Sequence, residues 1–163
     1  MFLYTRPKLE DILAIQNLLD KTWRVTYTYR LETELEKIAL VFHSTKALKT
    51  QINNPEDFLC IVKNEAENIV GIISGRQSKG IIHIGRLYVD PNYHFQYGIG
   101  TELLKRIENN FPSTKHVLVE VDAENEVGYS WYLKKGFKKT GTKIDNTTIE
   151  GIVFNLIVME KGI

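Results

Sequence analysis

A chain of 163 residues with 43% hydrophobic residues is long enough for one well-buried core and too short for two ordinary domains. Its formal net charge of +1 comes from basic residues that are scattered rather than striped, so no nucleic-acid or membrane partner is expected, only small or locally charged ones. A single cysteine, Cys60, allows no internal disulfide, and no charged-apolar-small leader pattern opens the sequence, so a reducing, cytoplasmic setting is expected.

In chain order, Phe2 to Arg6 reads as a first strand. After Pro7, apolar residues at Leu9, Ile12, Leu13, Leu18 and Leu19 recur at helical spacing. Leu31, Leu35 and Ile38 predict a second helix, and Ser44 is placed to cap a third, short one carrying Leu48 and Ile52. Three β-rich runs follow at Phe58 to Asn64, Ile69 to Gly75 and Ile81 to Asp90, separated by polar turns as in an antiparallel meander. A glycine-bearing segment then leads into a helix, His116 to Val121 supplies another strand, and a helix around Tyr129 to Lys135 ends at Gly136, a natural C-cap. Two closing strands are expected within Phe137 to Ile144 and Glu150 to Met159; the apolar run Ile152 to Met159 is far shorter than the roughly 20 residues that span a bilayer. The pattern is one α/β (α+β) domain over residues 1–163.

The segment YHFQYGIGTELL sets Gly98 and Gly100 immediately before a helix. A helix N-terminus carries unpaired N–H groups and about half a positive charge, and glycine lets an anionic oxygen approach the backbone there. The pair suits a pyrophosphate, although a turn or tight helix packing also explains glycine. No Lys-Ser or Lys-Thr pair follows, so a nucleotide-hydrolase loop is excluded, and no ribose-binding acid completes a dinucleotide motif.

The whole stretch RLYVDPNYHFQYGIGTELL, Arg86 to Leu104, resembles the cofactor motif of the GNAT superfamily of N-acetyltransferases. It departs from that motif in having Phe95 where Arg or Gln is usual, with Gln96 one residue later, and in a loop one residue longer than common. A second block, NEVGYSWYLKKGF from Asn125 to Phe137, resembles the family's later helix, with Gly128 in place of Ala and Trp131 in place of Phe. The opening Thr5 to Ile12 also resembles the family's first strand and helix.

The resemblance implies a mixed sheet of about six to seven strands, splayed between the fourth and fifth and flanked by helices. It implies acetyl-CoA as co-substrate, no metal, and direct attack by an amine without an acyl-enzyme. Cys60, in the apolar run FLCIV, fits this as inert core. Cofactor contacts are then expected along the strand edge at Leu87, Tyr88 and Val89, at the loop Gln96, Tyr97, Gly98, Ile99, Gly100 and Thr101, and at Asn125, which also reads as an N-cap. Tyr132 matches the family's tyrosine near the CoA sulfur and is the expected proton donor, while its neighbour Trp131 is expected in the core. For the base, strand alternation offers Glu120; His83 shares an alternation face with Leu87 and Val89 and is the other candidate.

The acceptor would be shaped by Thr22 to Leu35 and Gly141 to Phe154, which loosely resemble enzymes of polyamines and other small amines. Glu32, Glu34 and Glu36 are either a lure for a cation or a solvated helix face. Acetylation of a protein N-terminus or lysine is the alternative activity, and a non-catalytic acetyl-CoA-binding module the alternative class. A homodimer is possible, with the final strand as the expected edge for pairing.

Overall fold

In the central strands, successive side chains face opposite layers. Leu59, Ile61 and Ile72 join Ile15, Leu19 and Leu48 in one apolar cluster, whereas Cys60, Val62 and Ile73 join Leu103 and Ile107 in another. The computed structural model, which describes residues 1–163, therefore has a sheet with helices on both faces. Its elements are β1 (Leu3–Thr5), α1 (Ile12–Thr26), α2 (Glu32–Phe42), α3 (Thr45–Asn53), β2 (Asp57–Lys63), β3 (Ile69–Ser78), β4 (Ile81–Val89), α4 (Ile99–Asn110), β5 (His116–Asp122), α5 (Glu126–Lys134), β6 (Lys138–Asp145) and β7 (Phe154–Gly162). No helix is long and apolar enough to cross a membrane.

The seven strands run in the order β1-β2-β3-β4-β5-β7-β6, and β4–β5 is the one parallel pair. Helices α1 and α3 cover one face, α4 packs on the other, and α2 lies over a small cluster of Ile38, Ile149, Ile152 and Phe154. Ser44 caps α3 as its sequence predicts, with the Ala47 N–H donating to its hydroxyl at 3.1 Å.

Strands β4 and β5 pair only from Ile81 opposite His116 to Ile84 opposite Val119, then part. The parting begins at a bulge: Ser74 pairs with Arg86 and Gly75 with Ile84, which leaves Gly85 as the extra residue. The bulge also reverses the alternation. Ile82 and Ile84 share the α4 face with Leu87 and Val89, while His83 is exposed on the other parity. Simple alternation groups His83 with Leu87 and Val89; one inserted residue separates them.

Three other expectations shift. The closing strand starts at Phe154 rather than Glu150, because Gly151, at φ 79°, turns the chain first. Helix α5 begins at Glu126, earlier than Tyr129, as the reading of Asn125 as its N-cap implies. The final strand is no edge: β7 lies between β5 and β6, and the outer strand is β6, largely exposed and carrying Lys138, Lys139 and Lys143. Edge lysines discourage pairing with another sheet.

Candidate active site

The parted strands open a cleft of about 770 Å³ that reaches from α1 across β4 and β5 to the starts of α4 and α5. At one end Gly98 is the N-cap of α4, left-handed at φ 66°, and a Cβ added there would meet nothing within 4 Å. No backbone N–H from Gln96 to Thr101 donates to a protein acceptor; the first bond of the helix runs from Glu102 N–H to the Gly98 carbonyl at 3.0 Å. A helix start alone frees only its first turn, and here the free run begins earlier. Such a run, with the helix dipole behind it, fits the pyrophosphate of a CoA thioester. Gly100 has a different reason for being glycine: its Cβ would come within 3.2 Å of Trp131 Cζ2.

The cleft is floored by the part of β4 beyond the bulge, Leu87 to Val89, whose edge toward β5 has no strand partner. Tyr88 turns to the α1 side, its ring 6.2 Å from that of Trp23, and burial raises its phenol pKa. The Val89 carbonyl is met at 2.6 Å by His94 Nε2, which pins the following loop to the strand end.

Tyr132 is held in place by the way α5 stops. Gly136, at φ 90°, sends its N–H to the Leu133 carbonyl at 3.0 Å, and Phe137 N–H reaches the Tyr132 carbonyl at 3.1 Å. This is a Schellman ending, and its apolar contact is the pair Tyr132–Phe137, with ring centroids 5.1 Å apart. Burial pushes the Tyr132 phenol well above its ordinary pKa, so the hydroxyl at the cleft wall stays protonated. Trp131 does not sit apart in the core as expected. It is half-buried and lines the same cleft, because a broad cleft spans the roughly 100° between adjacent helical residues. Asn125 is the N-cap of α5, accepting from Gly128 N–H at 2.9 Å, and it too lines the cleft. The Asn125 side chain lies where a Gly128 Cβ would be, 2.6 Å from it, which accounts for glycine there.

Glu120 lies on the cleft wall with the Lys143 ammonium at 3.0 and 3.4 Å from its two oxygens. His83 does not line the cleft. Neither do Glu32, Glu34 and Glu36: Glu32 is paired with Arg24, and Glu34 accepts from Leu31 N–H at 2.9 Å and lies 3.7 Å from Arg30. Sequence reasoning passed over Glu124, Glu126, Lys134 and Lys135, all of which face the cleft, and their nearness to the Asn125–Phe137 block was the signal that pointed to them. The α1 end is walled by Thr22, Val25, Thr26 and Tyr27, the last with its ring centroid 4.3 Å from that of Trp23 at a 40° tilt. Cys60 is buried and its thiol pKa is pushed up to about 11 by desolvation, as an inert core thiol requires.

A sheet opened between parallel strands, beside a helix start rich in free amides, is an arrangement suited to an extended, phosphate-bearing ligand. The Acetyltransferase (GNAT) domain model matches residues 26–158, and the chain belongs to that family. It is an acetyl-CoA-dependent N-acetyltransferase that moves an acetyl group to an amine. No curated protein sequence matches significantly. Among solved structures, the PaiA N-acetyltransferase of Thermoplasma acidophilum, in complex with coenzyme A, is similar at TM-score 0.83 and 22% identity, covering 100% of this chain and 99% of that one. The ribosomal-protein-S18-alanine N-acetyltransferase of Escherichia coli gives 0.72 at 14% identity, covering 100% and 94%. The spermidine N-acetyltransferase of Vibrio cholerae, in complex with CoA and spermine, gives 0.70 at 14% identity, covering 99% and 95%. At such identities these likenesses are of fold.

Proposed function

We propose that the chain acetylates a small primary amine of the polyamine kind. The observation that carries this reading is the set of carboxylates Glu120, Glu124 and Glu126 lining the cleft, with Tyr27 at its α1 side. Carboxylates beside aromatic surface attract and orient a protonated amine. The similar spermidine N-acetyltransferase of Vibrio cholerae, in complex with CoA and spermine, supports the reading.

Acetyl-CoA supplies the activated acetyl group. In this reading the N–H groups of Gln96 to Thr101 hold its pyrophosphate, with Lys134 and Lys135 adding positive charge nearby, and the free edge of Leu87, Tyr88 and Val89 takes the pantetheine arm by strand-like bonds. The amine nitrogen attacks the thioester carbon, the C–S bond breaks, and the Tyr132 hydroxyl gives its proton to the departing sulfur. The acceptor's ammonium displaces Lys143 from Glu120, which takes one of its protons, directly or through water, before the attack; the second proton, shed by the nitrogen as the amide forms, returns to Tyr132. Asn125 keeps the start of α5 aligned with the cleft.

The test is thiol release from acetyl-CoA with a panel of putrescine, spermidine, spermine, a lysine-bearing peptide and a peptide with a free N-terminus. The expected result is a kcat/KM for one of the small amines at least about tenfold above both peptides. A preferred peptide would move the assignment to protein acetylation. Binding of acetyl-CoA with no release for any acceptor would identify a non-catalytic module.

A further inference from the structure

Phe95 bears two costs. Its backbone φ is 62°, a left-handed conformation that bulky residues rarely adopt. The residue is 73% exposed, yet it lines the cleft. Glycine or asparagine would remove the strain and a polar side chain would remove the exposure. The surroundings keep the ring where it is. His94, pinned through Nε2 to the Val89 carbonyl at 2.6 Å, fixes the residue just before it. The His94 ring meets that of Phe95 at 67° with centroids 5.6 Å apart, an edge contact that leaves a Phe95 face free. The run of unbonded N–H groups takes in Phe95 itself and continues through Thr101.

A pyrophosphate held by that run delivers whatever it carries on its outer side to the neighbourhood of Phe95. We propose that Phe95 is an aromatic platform on which the adenine base of coenzyme A stacks. The proposal rests on the acetyl-CoA reading of the cleft. Adenine is the only flat aromatic part of that molecule, and stacking removes from water both its face and the exposed face of Phe95. A base stacked on an aromatic side chain gains a factor of roughly 5 to 150 in affinity.

The experiment is titration calorimetry of the full chain with dephospho-CoA and with 4′-phosphopantetheine, which differ by the adenylate. Phe95→Gly is expected to weaken dephospho-CoA about tenfold and 4′-phosphopantetheine by less than about twofold. Phe95→Tyr, which keeps the ring, leaves both unchanged. Phe95→Asn, which tolerates the left-handed backbone and is less flexible than glycine, repeats the glycine result, and neither small residue lowers the melting temperature. Equal losses for the two ligands, or no loss for dephospho-CoA, would overturn the platform. Wild-type protein that binds neither ligand would overturn the acetyl-CoA reading itself, a result distinct from the other two.

Discussion

At the scale of single residues, Tyr132 owes its position to a helix ending, and burial raises its phenol pKa further above the ordinary value. Tyr132→Phe keeps the ring against Phe137 and removes only the hydroxyl, so acetyl-CoA affinity and melting temperature should hold while turnover falls at least about tenfold, within the 100- to 10,000-fold range of general-acid help. Steady-state thiol release beside calorimetry checks this; near-normal turnover would return the residue to a packing role. Trp131 carries a different expectation. Its indole backs Gly100 at 3.2 Å from the position of an added Cβ, so Trp131→Ala should loosen the start of α4 and raise the KM for acetyl-CoA as well as lower stability. A mutant that only melts earlier, with KM unchanged, would restore the core role that helical spacing suggests. The sequence marks both aromatics but not that they share a cleft, since adjacency on a helix says how far apart two side chains point and nothing about how wide the space before them is.

At the scale of elements, the start of α4 depends on two glycines for two reasons. Gly98→Ala forces a Cβ into a left-handed cap at φ 66°, a strain of about 1–2 kcal/mol, which for a chain of this size lowers the melting temperature by roughly 2–8 °C. Scanning calorimetry measures it. Gly100→Val drives a branched side chain into Trp131, so its loss of acetyl-CoA affinity would come from a displaced helix start rather than from a blocked approach to the phosphates; Gly100→Val in a Trp131→Ala background should recover part of that affinity. The helices and most strands are legible as periodic apolar patterns closed by caps such as Ser44 and Gly136. The bulge is not. In IIHIGRLYV a glycine is equally at home in a regular strand, and what makes Gly85 the extra residue is the partner register on β3, which is set by residues distant in sequence. That hidden residue reverses the faces of β4 and removes His83 from the site.

At the scale of the molecule, one buried histidine ties stability to pH. His43 is enclosed near Trp23, and desolvation, with the Arg86 charge nearby, lowers its pKa from 6.5 to about 4. A histidine neutral in the fold and ordinary when unfolded contributes its full stability above pH 6.5 and loses it as pH falls from 6.5 to about 4, on the order of 3 kcal/mol in all. The melting temperature should drop across that window, and His43→Gln should flatten the drop; an unchanged slope in the mutant would assign the acid limb to carboxylates. The seven-stranded order and its opening between β4 and β5 follow from family likeness rather than from local pattern, because pairing between distant strands leaves little trace in either partner alone.

The free amides from Gln96 to Thr101 also make the chain its own sensor. With no acceptor to hold them, their hydrogens trade with heavy water at close to the rate of an unfolded chain, while amides in β3, paired on both sides, are shielded by their ladders. A ligand whose oxygens accept those hydrogens slows the trade in that one short peptide. Deuterium uptake followed by mass spectrometry would then report occupancy of the cleft without a label, in a mixture of candidate cofactors, before any acceptor is known.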